Sequence, residues 1–397
     1  MRVNAEKNNI GVPLRRATKL CHTMPYAELS SVKHRVQPGE PLPFNVRDAD
    51  RTLLLARGQL VESTEHLEML FQRGALVDIA ELLQPSEMVR NATRAQLPKL
   101  WAGCMARVSA ALQADPGPGF EGALDDAVGP VQALIERDPD LAIFQVLRHG
   151  ASANAAYGVQ RSLQTAITGH LVAQRLGWDG SQSERLFKVA LTMNISMLEL
   201  QGQLSHQAMP LTPAQRKDLQ THPMRSVLML QKAGIQDEAW LDAVLHHHEQ
   251  EDGNGYPSGR VELGELATLA RRADLYTSKL ASRSTREALS ADMAGRQMFM
   301  QDPGHPMTAA LVREFGIYPP GSYVRLSSGE MGIVVARGPT ITTPVVACLT
   351  NAAGMPLAEP ARRCTDAKAS AVVGVVGQGQ MRLRLPLDRL AALVTAG

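Results

Sequence analysis

His246-His247-His248-Glu249-Gln250-Glu251-Asp252-Gly253-Asn254-Gly255-Tyr256-Pro257 is the stretch on which the reading of this chain turns. It closes an amphipathic run, Ala239 to Leu245, in which Trp240, Leu241, Val244 and Leu245 form one apolar stripe of a helix. Imidazole is the commonest protein ligand for transition metals. Adjacent helical residues diverge by about 100°, so neighbouring histidines share an ion only if it sits off the helix end. A solvated polar helix terminus with a tight turn is the competing reading. Gly253 and Gly255 allow the backbone to turn closely around a ligand, and an ordinary loop uses glycine for the same reason.

Upstream, Thr212-Pro213-Ala214-Gln215 predicts a helix start, with Thr212 as cap, Pro213 as first helical residue and Gln215 completing a capping box. That helix carries His222 before Pro223. Downstream, residues 264–283 predict another helix, apolar on one side, with Asp274 in it. A lone histidine is most often an ordinary polar residue. A carboxylate in apolar surroundings is harder to dismiss, because burial costs several kcal/mol, order of magnitude, unless it is paired or metal-bound. Arg283 and Arg286 form either a solvated basic face or a pair of phosphate-binding forks.

The pattern changes twice along the chain, and a mainly α fold is expected. Residues 1–24 are polar and irregular. Residues 25–90 read as a small α/β accessory module: two short strands about Asp48-Ala49-Asp50, then a helix begun by Ser63 or Thr64 and stopped by Gly74. Residues 91–317 are helical almost throughout, with a core at 150–317, and 318–397 form a β-rich segment with β-branched runs parted by Gly, Pro and Ser.

Composition narrows the function classes. The chain has 397 residues, 44% hydrophobic and 20% charged, with a formal net charge of +2. That charge is too weak to argue for nucleic acid, no DNA binding is expected, and 4% aromatic residues argue against a single-strand stacking surface. Cys21, Cys104, Cys348 and Cys364 make no CxxC pair and are expected as free thiols. The first twenty residues lack an apolar core, and no stretch approaches the roughly 20 apolar residues of a bilayer span. A cytoplasmic protein is expected.

Residues 247–257 resemble the HHExxDGxGYP signature of the HD-GYP family without a gap. His222-Pro223, Ala273-Asp274-Leu275-Tyr276, the arginines 283 and 286, and Tyr318-Pro319-Pro320-Gly321 resemble further family segments, so the likeness covers about 150–325. It implies a helical domain that holds two or three iron- or manganese-class ions and hydrolyses the second messenger cyclic di-GMP. Two such ions activate water and neutralise phosphoryl charge. His222, His247, His248 and Asp274 are then the metal-ligand positions, and Arg161, Gly253, Gly255, Tyr256, Pro257, Arg283 and Arg286 the candidate ligand-binding set.

The departures matter as much. The family's ALLHDIGK-like helix here reads Ala190-Leu191-Thr192-Met193-Asn194-Ile195-Ser196-Met197. Met193 stands for the histidine, Asn194 for the bridging aspartate, and Arg161 aligns with the first ligand histidine. Asn194 is at best a weak ligand. The expectation is at most one Fe, Mn or Zn ion, no two-metal centre, and a degenerate domain acting as a nucleotide-binding or protein-interaction module. The alternative is a phosphodiesterase working with one ion and Asp274.

Overall fold

The computed structural model describes residues 26–36, 38–78, 85–114, 116–148, 154–282, 284, 287–377, 381 and 385–396. Residues 1–24, and Cys21 with them, lie outside that set, as do Arg283 and Arg286. The chain divides into two compact units after Gln84.

The first unit is small. Strands β1 (Tyr26–Glu28), β2 (Val46–Arg47), β3 (Leu53–Leu55) and β4 (Leu76–Asp78) form an antiparallel sheet in the order β1-β4-β2-β3. The Asp48 side chain shapes the β2–β3 turn, accepting from the backbone N–H of Asp50 and of Thr52, each at 2.9 Å. Helix α1 (Thr64–Gln72) starts where Ser63 Oγ accepts from His66 N at 3.2 Å. Leu29, Phe44, Val46 and Val77 are completely buried between these elements.

The second unit holds the rest. Helix α2 (Pro85–Asn91) belongs to it, so the division falls before the boundary expected at 90. Then come α3 (Leu97–Gln113), α4 (Phe120–Arg137), α5 (Pro139–Leu147), α6 (Ala155–Leu176), α7 (Gly180–Thr192), α8 (Leu198–His206), α9 (Pro213–Lys232), α10 (Glu238–His246), α11 (Glu265–Leu280), α12 (Ala291–Gln301) and α13 (Pro306–Phe315). The fold is mainly α, as the sequence predicts. Helix α6 is its axis, buried on nearly all sides from Gly158 to Ala173 and packed by α3, α5, α7, α8, α11 and α13. A side chain at Gly158 would put its Cβ 2.5 Å from Leu198 O, so glycine is what lets α8 cross α6 this closely.

Strands β5 (Tyr323–Leu326), β6 (Met331–Ala336), β7 (Val345–Thr350), β8 (Pro356–Cys364) and β9 (Val372–Val375) form an antiparallel sheet in the order β8-β7-β6-β5-β9. Alternate residues face opposite ways. Ile333, Val335, Ala347 and Leu349 join the helical core, while Val324, Val334, Val346 and Cys348 make a separate core on the other face. The segment is not β throughout: α14 (Leu387–Thr395) packs Leu390, Ala391 and Val394 onto the helical core. Its short amphipathic repeat was hidden behind the β-branched runs before it. Cys104, Cys348 and Cys364 are free thiols. Among the described residues, no helix is long and apolar enough to cross a membrane.

Candidate metal centre and ligand cleft

His222 owes its orientation to its neighbour. Pro223 sits inside α9 and has no N–H, so Leu219 O loses its helical donor. His222 Nδ1 takes that place, donating to Leu219 O at 2.7 Å. The end of α10 works similarly, because its last carbonyls lack helical partners. His247 Nδ1 donates to Val244 O at 2.7 Å. A carbonyl only accepts, so Nδ1 carries the proton in both rings and the neutral rings leave Nε2 bare. Those two nitrogens face each other at 3.1 Å. His248 adds a third, and one ligand atom from each of the three rings lies within 4.8 Å of the others.

Burial keeps these rings neutral. It pushes His222 down to about 3, helped by His247, and puts His248 well below the usual histidine range. Burial also lowers His247, against the pull of the Val244 carbonyl and Asp274. Three neutral imidazoles with converging lone pairs repel one another unless a cation joins them, and carbonyl-fixed Nδ1 protons are the usual support of metal-binding histidines.

The following loop is folded tightly against the helix end. A Cβ on Gly255 would lie 2.3 Å from Glu249 Cα, so no side chain fits there. Gly253 has φ +78°, the left-handed region that favours glycine. Tyr256 stacks on His248, ring centres 4.6 Å apart, and precedes a cis peptide to Pro257. Glu249 is wholly buried and accepts from Ser258 N (2.6 Å), Ser258 Oγ (2.7 Å) and Gly259 N (3.1 Å). Burial pushes its carboxyl up, but these donors outweigh it and hold it below the usual range. Glu251 pairs with the buried Arg272 at 3.0 Å, and Arg272 also holds Asp302.

Asp274 does not join the three histidines. Its Oδ1 accepts from Arg161 Nη2 at 2.9 Å and from Thr165 Oγ1 at 3.4 Å. Arg161 and Asp274 line a cavity of about 410 Å³ together with Asn194, His248 and Tyr256. Asn194 is buried, and its Oδ1 meets no donor among the described residues. Met193 is fully buried in the helical core.

Residues 146–298 match the family model described as HD domain. Over 131 residues the chain is 34% identical to a cyclic di-GMP phosphodiesterase of Pseudomonas aeruginosa, which takes in 32% of this chain. Residues 146–298 of the chain are therefore an HD domain. The aligned stretch spans 31% of that relative's own length. Among solved structures, an HDG"Y"P protein from Bdellovibrio bacteriovorus is similar at 16% identity with a TM-score of 0.47, covering 72% of this chain and 97% of that one.

Within this HD domain the donor set fits one ion. His222, His247 and His248 can hold a metal in an open tri-histidine arrangement. It does not fit a bridged pair of ions. Asn194, which the resemblance sets in the place of a bridging carboxylate, is a neutral amide, and Asp274 is already paired with a fixed cation. Sequence reasoning missed the roles of Glu249, Leu219 O and Val244 O. The His-Pro dipeptide was the one available signal, since proline at that position frees a carbonyl three residues before the histidine.

Proposed function

We propose that this HD-GYP domain is a degenerate phosphodiesterase that binds cyclic di-GMP, or a related nucleotide, without turning it over efficiently. The observation that carries the reading is the Arg161–Asp274 pair at 2.9 Å. The family resemblance puts a metal ion between those two positions. A permanent guanidinium there opposes a cation: at about 4 Å and an effective dielectric near 20, two like unit charges repel by roughly 4 kcal/mol. Met193, apolar and buried, stands where the resemblance asks for a ligand histidine.

The tri-histidine cluster favours one further feature, a single bound ion. When bound, it would supply Lewis acidity and lower the pKa of a coordinated water. The chain's own residues would orient the ligand: Tyr256 and His248 line the cleft that Asp274 shares. A one-ion phosphodiesterase is therefore the second reading. The two separate in one assay series on protein purified without chelator: metal content, cyclic di-GMP binding and cyclic di-GMP hydrolysis. Binding with negligible hydrolysis supports the first reading; metal-dependent turnover supports the second. Partners in signalling, protein or nucleotide, follow the same reading.

A further inference from the structure

Beside the Tyr157 hydroxyl, several polar atoms along the cleft are oxygens that can accept. Asp274 Oδ1 is taken by Arg161 and Thr165, while no described residue donates to Oδ2. The Asp274 side chain keeps 22% of its surface exposed. Asn194 Oδ1 and Gln201 Oε1, in the wall of the same cleft, also meet no donor. An amide can turn to present its NH2 group instead, but an ionised carboxylate has no donor in either orientation. A phosphate placed directly on Oδ2 would set anion against anion, with the Arg161 guanidinium engaged on Oδ1. A group with adjacent N–H donors suits it.

We propose that Asp274 is the base-reading residue of this cleft and that it selects guanine over adenine. This rests on the nucleotide-binding reading above and deepens it. With Oδ1 clamped by Arg161, Oδ2 is the oxygen left for a ligand. Guanine's Watson–Crick edge offers N1–H and N2–H side by side, and a carboxylate accepts from them. Adenine offers one donor group there and turns its N1 lone pair toward the carboxylate. Tyr256, stacked on His248 in the same cleft, adds aromatic surface beside the base. The phosphates are then left for the histidine end. Asp274 is thus a specificity residue and not a metal ligand in this chain.

The test is calorimetric titration of the full chain with GMP, AMP, cyclic di-GMP and cyclic di-AMP, with and without Mn2+. Guanine ligands should bind about 10- to 100-fold more tightly than their adenine counterparts, the worth of a hydrogen bond to a charged group. Asp274→Asn should bring the two within roughly threefold and leave metal content unchanged. Because Asp274→Asn leaves Arg161 without its charged partner, Arg161→Met/Asp274→Asn serves as a second variant that removes both charges, and it should lose the preference too. Equal binding of GMP and AMP, absence of binding by either, or loss of metal from Asp274→Asn would overturn the proposal. If GMP shows the Asp274-dependent preference while cyclic di-GMP does not bind, this inference stands and the cyclic di-GMP reading falls.

Discussion

Asp274 and Arg161 lie 113 residues apart in the chain and meet at 2.9 Å across α11 and α6. With one partner gone, the other is left half-desolvated. Arg161→Met should destabilise the protein by about 2–4 kcal/mol. The double variant Arg161→Met/Asp274→Asn should recover much of that, and urea unfolding of the four proteins reads the coupling. Strict additivity would show that the pair contributes nothing. A second residue reports through pH. Burial lowers His170 from 6.5 to about 4. An unfolded His170 takes up its proton near 6.5 and a folded one only near 4, so the unfolded chain binds more protons between these values. The stability linked to His170 is complete above 6.5 and is lost as pH falls toward 4. Its size is on the order of 3 kcal/mol. Urea midpoints at pH 7 and 5 should therefore fall further for the wild type than for His170→Gln, and parallel falls would refute the assignment.

Elements, more than single side chains, set the histidines. Helix α9 gives up one backbone hydrogen bond at Pro223 and uses the released carbonyl to fix His222. Pro223→Ala returns an N–H that competes for Leu219 O. The apo protein should be no less stable, since proline within a helix costs about 3 kcal/mol. Metal affinity should nevertheless drop about 10- to 100-fold, as it does when a ligand histidine loses its support. Unchanged affinity by competition with a chromophoric chelator would show that the carbonyl does not orient the ring. These local devices were legible beforehand: the signature over 247–257, the capping box at Thr212 and the His-Pro pair are all short-range patterns. The Arg161–Asp274 contact was not, because two helices distant in sequence must pack before an aligned arginine becomes an ion-pair partner. Helix α14 escaped for a different reason: nine residues after a run of strands carry too little periodicity to stand out.

At the scale of the molecule, α6 ties the cleft to the core. Its flanks bury Leu163, Ala166 and Ile167 while Arg161 and Thr165 reach Asp274. Because that scaffold does not depend on an ion at the Asp274 end, ligands can be put back. Arg161→His, Met193→His and Asn194→Asp together should raise metal content and cyclic di-GMP hydrolysis above the wild type. Asn194→Asp alone should only tighten the ion at His222, His247 and His248. A triple variant with unaltered metal content would show that the missing ligands were not what limits the site.

The central claim is that this domain keeps one metal position and has lost the other. Elemental analysis of the full chain, purified without chelator and dialysed against metal-free buffer, tests it most directly. At most one Fe, Mn or Zn per chain is expected, falling to none when His247 is replaced by alanine. Two ions per chain would contradict the account.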